Sequence, residues 1–213
     1  MARLKRLVLE RLMRYYRYIV SVPEMRGAKT VTSAQIAGAL DIDPTQVRKD
    51  FGAIGLLGMG RVGFGVCEVC TAIRRVLGFD ERLEAVVVGA GHLGGALVAY
   101  ERFTQYGLHI VAAFDSDKRK AGRRVGGLLV QPTRALTPYV RRHKIRLAIL
   151  TTPPEVAQKV ADRLVAAGVT AIWNFAPTRL TVPSEVMVRN EQIALGLSEI
   201  SYHLAEQARE KQG

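Results

Sequence analysis

Residues 85–95 read AVVVGAGHLGG, a short β-branched run that leads directly into a glycine-rich turn. Gly89, Gly91 and Gly94 give this turn the spacing G-x-G-x-x-G, and the residues that follow have a helical pattern. A strand, a glycine turn and a helix in this order form the unit that binds dinucleotides in doubly wound proteins. The stretch therefore predicts an α/β domain with a phosphate-binding turn.

The second half of the chain continues this alternation of strands and helices. Apolar β-branched runs predict further strands, and amphipathic segments predict the helices between them. The order is typical of a parallel sheet covered on both faces, so we expect a Rossmann-type, doubly wound sheet. The predicted strands are 85–88, 109–114, 147–150 and 171–173, and the predicted helices are 93–106, 134–143 and 155–167.

The three glycines have separate roles in such a turn. Gly89 allows the sharp turn, Gly91 lets backbone amides approach a pyrophosphate, and Gly94 lets the helix pack on the strand. Asp115 ends the next predicted strand, where a carboxylate binds the ribose hydroxyls and favours NAD(H) over NADP(H), although the basic run 118–120 weakens that preference. A glycine turn without a ligand and a coenzyme A site are the alternatives. The candidate cofactor residues are Gly89, Ala90, Gly91, His92, Leu93, Gly94 and Asp115.

Composition limits the class of protein. The 213 residues are 48% apolar and 23% charged, which suits one large domain or two modest ones and excludes a disordered chain. Lys and Arg number 31 against 19 Asp and Glu. The resulting charge of +12 favours a polyanionic partner such as nucleic acid.

Two cysteines, Cys67 and Cys70, are too few for a disulfide framework and favour a reducing cytoplasm. Their spacing lacks a second ligand pair for a metal, so we expect both thiols to pack on a helix over 66–77, with a peroxide-sensitive pair as the alternative. The scattered histidines suggest no metal site either. Charged residues interrupt the N-terminal segment and exclude a signal peptide, and no apolar run is long enough to cross a membrane.

Two short helices joined by a tight turn are predicted in the more densely basic first part of the chain. Thr32 and Gln35 form a capping box at the start of the first helix. Asp43 can cap the second helix, Pro44 suits its first position, and Gln46 would complete another box. Such a helix-turn-helix places its second helix in the major groove of DNA, and a protein-binding helical hairpin is the alternative. The candidate DNA contacts here are Ser33, Thr45, Gln46, Arg48 and Lys49.

A glycine-rich stretch from Gly55 to Gly65 follows these helices. Val62, Phe64 and Val66 alternate with glycines as in a strand. We therefore predict a β-hairpin wing with Arg61 at its tip, placed to contact phosphate or a minor groove.

We divide the chain into three parts. Residues 1–80 are predicted to form a winged-helix DNA-binding domain, with the helix-turn-helix region at about 16–55. Residues 81–190 are predicted to form the Rossmann NAD(H)-binding domain, and residues 191–213 a C-terminal dimerisation helix.

Taken in order, these motifs resemble the Rex family of redox-sensing transcriptional repressors. The resemblance implies a homodimer that binds a pseudo-palindromic operator in double-stranded DNA when NAD+ dominates and leaves it when NADH binds. It places Arg48 and Lys49 on the DNA. The motifs that carry it are 46–50, 63–66, 89–94, 114–117 and 174–177.

The resemblance also implies roles for residues that the motifs leave unassigned. The acidic residue of the family's redox switch falls here at Gln192, whose neutral amide cannot form a charge-paired contact, so the strength of the NADH response depends on this departure. The aromatic residue that usually follows falls at Ile193, and the basic pair of the wing usually stands one step earlier than in 59–61. The implied positions are Thr151, Thr152 and Pro153 beside the far end of the cofactor, Tyr100 at the cofactor, and Arg17, Tyr100 and Gln192 in the switch.

The C-terminal stretch 191–208 has an apolar stripe at helical spacing. In the family this helix is exchanged between subunits, which would couple cofactor binding to the separation of the two recognition helices. Docking on its own domain is the alternative. The stripe consists of Ile193, Leu197, Ile200 and Leu204.

A small NAD-dependent dehydrogenase is the main rival function. It would need a substrate domain and a proton donor near the nicotinamide, and the sequence offers no Tyr-Lys or His-Asp arrangement for that role. We therefore expect no catalytic residues. A coenzyme A-responsive regulator would keep the fold and the DNA, and Asp115 argues against it.

Overall fold

The computed structural model describes residues 4–25, 27–60 and 62–210, which fall into two compact units. The first unit contains the described residues up to Arg82 together with Gln105–Gly107, and the second contains Leu83–Thr104 and the described residues from Leu108 onward. The candidate DNA contact Arg61 lies outside the described residues. None of the helices in these ranges combines the length and the apolar character that a membrane crossing requires.

The first unit is a helical core with a two-stranded sheet. Its elements are α1 (Arg6–Ser21), β1 (Thr30–Val31), α2 (Ser33–Leu40), α3 (Pro44–Ala53), β2 (Phe64–Gly65) and α4 (Val66–Leu77). The predicted capping box of Thr32 and Gln35 is present at the start of α2, and Asp41 ends that helix in the left-handed conformation. Asp43 caps α3 through a hydrogen bond to the Thr45 amide.

The wing is shorter than the sequence predicts. β2 pairs antiparallel with β1, and Met59 and Gly63 close a tight loop before it through backbone hydrogen bonds. The prediction that Val66 continues the strand is wrong, because Gly65 is the N-cap of α4 and Val66 its first residue.

Helix α4 buries Val69 and Ile73 in the core of the first unit, with Cys70 half-buried beside them. Burial, with a smaller contribution from the neighbouring Cys67, raises the pKa of the Cys70 thiol. Cys67 itself is exposed, so the expectation that both thiols pack is wrong. The reason is geometric. Residues two positions apart on a helix point in directions about 200° apart, so Cys67 faces away from the buried Val69.

The second unit is built on a parallel sheet with helices packed against it. Its elements are β3 (Leu83–Val88), α5 (His92–Val98), β4 (Leu108–Asp115), β5 (Arg124–Val125), β6 (Leu128–Pro132), α6 (Leu136–His143), β7 (Leu147–Leu150), α7 (Pro154–Ala167), β8 (Ala171–Asn174), β9 (Met187–Asn190) and α8 (Ile193–Glu210). In the described residues the sheet has seven strands in the order β5-β6-β4-β3-β7-β8-β9, and only β5 is antiparallel to its neighbour. The six parallel strands have the order of a Rossmann fold, which confirms the predicted α/β class.

Strand β3 is apolar at successive positions because both faces of the sheet are covered. Val86 and Val88 pack into the core formed with α6 and α7, whereas Ala85 and Val87 pack into the core on the opposite face. This alternation follows from the two-residue period of a strand.

Four segments of this unit differ from the sequence-based prediction. The continuous helix predicted over 93–106 is wrong, because α5 ends at Val98 and Glu101–Tyr106 forms a 3-10 segment. Phe103 packs against a core of the second unit, whereas Tyr106 packs against the core of the first. The segment is therefore divided between two cores. Strands β5, β6 and β9 were not predicted at all.

Candidate functional site

The glycine turn lies where the sheet changes direction. β3 and β7 are neighbours, and the chain leaves them for elements on opposite sides, which is where doubly wound sheets bind ligands. Thr151, which follows β7, is hydrogen-bonded to the end of β3. Its amide donates to Val88 O at 3.0 Å and its hydroxyl donates to Gly89 O at 2.7 Å. The fold thus joins Thr151 to the predicted glycine turn.

Packing requires two of the three glycines. A Cβ on Gly89, which has φ +103°, would lie 2.6 Å from Thr151 O, and a Cβ on Gly94 would overlap the Gly89 carbonyl oxygen and lie 2.7 Å from Thr151 Oγ1. Gly91 differs from both, because its φ is −78° and a Cβ there would have no atom within 4 Å. The protein itself therefore needs no glycine at position 91. An open cradle at that position fits a pyrophosphate that approaches the backbone closely.

Asp115 lies at the carboxyl end of β4 and is only 8% exposed. Its Oδ2 accepts hydrogen bonds from the Ala90 amide and from Lys120 Nζ, both at 2.8 Å, and its Oδ1 accepts one from the Asp117 amide at 2.8 Å. Burial alone would raise the pKa of Asp115, but the hydrogen bonds from Lys120 and the two amides outweigh it and hold the pKa below its usual value. The carboxylate is therefore ionised and tied to the glycine turn, as a ribose-binding group should be.

Two further features of the second unit are an unsatisfied hydroxyl after β7 and a row of aromatic rings. Thr152 Oγ1 is buried and, within the described residues, has no hydrogen-bond partner. Such a group normally has a partner, so a bound ligand or water is expected there. The rings of Tyr100, Phe103, Trp173 and Phe175 follow one another with centroid separations of 4.9, 5.7 and 5.1 Å.

The other predicted cofactor and switch residues are mostly exposed. His92, Leu93 and Pro153 are exposed beside the buried Ala90, and Tyr100 is 49% exposed. Arg17 is exposed on α1 in the first unit, and Gln192 is exposed just before α8 in the second. The sequence missed Glu191, whose Oε1 accepts hydrogen bonds from Trp173 Nε1 at 2.9 Å and from Arg189 Nε at 3.0 Å.

Three of the candidate DNA contacts meet at the surface of the helix-turn-helix. Arg48 donates from Nη1 to Ser33 Oγ and from Nη2 to Thr45 Oγ1, both at 3.1 Å. These bonds hold an exposed guanidinium across the two helices, where it can reach a groove edge or a phosphate. Lys49 is exposed beside it.

Gln46 does not form the second capping box that the sequence suggests. Its side-chain Nε2 donates instead to Asp50 Oδ1 at 2.9 Å, so the predicted box is wrong, although the Gln46 backbone amide donates to Asp43 O at 2.9 Å. Asp50 is 2% exposed and also accepts two hydrogen bonds from Arg11, at 2.6 and 2.8 Å, and one from Tyr15 Oη at 2.8 Å. This network joins α1 to α3, and no local sequence pattern predicted it.

The charge of Asp50 stabilises the first unit. Burial alone would raise its pKa, but the hydrogen bonds from Arg11, Tyr15 and Gln46 outweigh it and hold the pKa below the ordinary 3.8. Because the folded-state pKa is lowered, this stabilisation is present above the ordinary value and is lost as the pH falls through the folded-state value.

We expect Asp50→Asn to lower the free energy of unfolding of the first unit by about 2 kcal/mol at pH 7, since bonds to a charged acceptor are lost. Urea unfolding followed by circular dichroism would measure the loss, and the difference from wild type should shrink in acid. The control is Asp41→Asn, which removes an exposed charge at a left-handed position that asparagine tolerates. Equal losses in both variants would contradict a specific role for Asp50.

Comparison with known proteins agrees with both halves of this arrangement. The family described as "CoA binding domain" matches residues 80–178, and the family described as "Putative DNA-binding protein N-terminus" matches residues 6–52. A redox-sensing transcriptional repressor Rex from Treponema denticola is 40% identical over 85% of this chain and 86% of that protein. Another from Desulforamulus reducens is 37% identical over 92% of this chain and 93% of that protein.

Three crystal structures of RSP, a Rex-family repressor, resemble the whole chain at 31% identity. The complex with β-NAD+ and operator DNA has a TM-score of 0.90 and covers 100% of this chain and 97% of that one. The complex with β-NADH has a TM-score of 0.88 and covers 100% and 99%. With relatives this similar along almost their full length, the chain belongs to the Rex family of redox-sensing transcriptional repressors.

Proposed function

We propose that this protein represses transcription as a cytoplasmic homodimer that binds operator DNA with NAD+ and releases it when NADH binds. One observation carries the proposal. A single chain of this family combines a helix-turn-helix that holds Arg48 at its surface with a glycine turn in which packing does not require Gly91 to be glycine. The crystal structures of RSP hold β-NAD+ with operator DNA in one case and β-NADH in another, and the residues present here fit the same ligands.

The DNA half of the proposal assigns base or phosphate contacts to the exposed face of α3. Ser33 and Thr45 orient Arg48, Lys49 adds a second cation, and Gln46 is held by Asp50. Asp50 thus acts as a positioning residue for the recognition helix. Arg61, at the proposed tip of the wing, completes the set.

The cofactor half assigns one part of the dinucleotide to each group of residues. The turn from Gly89 to Gly94 would hold the pyrophosphate, and Asp115 the adenosine ribose. Thr151, Thr152, Pro153 and Tyr100 would lie beside the nicotinamide. When bound, the nicotinamide ring supplies the signal, because it is cationic in NAD+ and neutral in NADH.

The dimer is proposed from the C-terminal helix. The described side chains of α8 from Ala194 to Arg209 are all exposed, although Leu197, Ile200 and Leu204 form an apolar stripe. An apolar helix face of this kind requires a partner surface. A second copy of the chain would supply that surface. Exchange of α8 between the copies would make Arg17, Tyr100 and Gln192 parts of one redox switch.

Replacing Arg48 by alanine should weaken operator binding about 10- to 100-fold and leave NADH binding intact, because it removes one contact of the recognition helix. The probe is a duplex that the wild-type protein selects from a randomised pool, measured by fluorescence anisotropy. Arg142→Ala is the matched control, since it removes an exposed arginine from α6 in the other unit. Equal affinities for the Arg48 and Arg142 variants would count against the assignment of α3.

Calorimetry with NADH, NAD+ and coenzyme A tests the cofactor. Binding of NADH and NAD+ without coenzyme A is the expected result. Binding of coenzyme A alone would identify a coenzyme A-responsive regulator instead. Oxidation of NADH in the presence of small carbonyl compounds would identify a dehydrogenase.

A further inference from the structure

The carboxylate of Asp115 is nearly fully occupied by the protein itself. An ionised carboxylate has about four acceptor positions, and the amides of Ala90 and Asp117 together with Lys120 Nζ take three of them. About one position remains, which is too few for both hydroxyls of a ribose. A ribose that uses both hydroxyls would therefore need a further partner, and Lys120 is the charged group already beside Asp115.

A turn and an ion pair hold Lys120 next to this carboxylate. Its amide donates to Asp117 O at 3.0 Å, so a turn brings its side chain back over the end of β4, and its ammonium lies 2.8 Å from Asp115 Oδ2. An ammonium has three donors, of which Asp115 takes one. The neighbouring Arg119 is paired with Asp117, which leaves Lys120 as the cation held against Asp115.

We propose that Lys120 determines how strongly the site prefers NADH over NADPH, because it neutralises Asp115 and offers a cation to a phosphate on the ribose. This role rests on the proposed function and refines it. An unpaired Asp115 would repel a 2′-phosphate, whereas the Asp115–Lys120 pair accepts a hydroxyl and tolerates a phosphate at the same position. Wild-type protein should accordingly bind both dinucleotides.

The test compares Kd values for NADH and NADPH, measured by nicotinamide fluorescence, in wild type and three variants. Lys120→Met should raise the ratio of the NADPH Kd to the NADH Kd about tenfold, since the phosphate loses its cation and meets an unpaired carboxylate. Lys120→Arg should keep the ratio within about twofold. The matched control Lys118→Met, which removes an exposed lysine two residues away, should leave the ratio unchanged.

The ratio of the NADPH Kd to the NADH Kd distinguishes a role of Lys120 in specificity from a purely structural role. NADH and NADPH differ only at the ribose phosphate, so mere loosening of the turn would weaken both equally. An unchanged ratio in Lys120→Met, with both ligands still bound, would overturn the role of Lys120 and leave the proposed function standing. If wild-type protein bound neither dinucleotide, the proposed cofactor would be wrong, and the role of Lys120 with it.

Discussion

Aspartate substitutions at Leu197 and Ile200 should convert the proposed dimer to monomers and lower its operator affinity by about two to four orders of magnitude. These side chains are 64% and 59% exposed in α8, and two buried carboxylates would make that stripe incompatible with an apolar partner surface. A monomer presents one recognition helix, so the gain in affinity from two linked half-sites is lost.

Light scattering would measure the mass, and anisotropy of the selected duplex the affinity. The matched control replaces Val156 and Met187 by aspartate, because both are exposed apolar residues of the same unit outside α8. A variant at 197 and 200 that remained dimeric would show that α8 is not the dimer contact. In that case its apolar stripe would need another partner.

Gly91→Ala should weaken NADH binding by at least about a hundredfold without lowering the melting temperature. A Cβ at this position meets no protein atom within 4 Å and the backbone is unstrained, so the fold should tolerate it. The methyl group would nevertheless occupy the place where a pyrophosphate approaches the turn. The variant should therefore remain on the operator when NADH is added.

Gly94→Ala is the comparison that separates folding from binding. Its Cβ would overlap the Gly89 carbonyl oxygen, so this variant should lose stability as well as NADH. Calorimetry and thermal melting of both variants would resolve the two effects. Unimpaired NADH binding by Gly91→Ala would mean that the pyrophosphate lies elsewhere.

The sequence predicted those elements whose signals are local. The apolar run of β7 has the predicted bounds, and the capping residue of α2 forms its box, because a buried strand and a helix start each depend on a few adjacent residues. β6 and β9 escaped prediction although each overlaps a short apolar run, at 128–130 and 186–188, and few of their residues are deeply buried. Their place in the sheet is decided by neighbouring strands.

Contacts between distant residues explain what the sequence missed at the site. The network around Asp50 joins residues 35 to 39 positions apart in the chain, and the bond from Ala90 to Asp115 spans 25. Lys120 belongs to a basic run that looks like a solvated loop, and only the turn after β4 shows that it faces Asp115. Residue types alone do not specify such pairs.

The sharpest test of the proposed redox control is operator occupancy at a fixed total of NADH plus NAD+, titrated from fully oxidised to fully reduced. With the selected duplex and wild-type protein, occupancy should remain high in NAD+ and fall as NADH replaces it, while Gly91→Ala should stay bound throughout. Occupancy that did not change with the ratio, although both nucleotides bind, would contradict a repressor controlled by the nicotinamide.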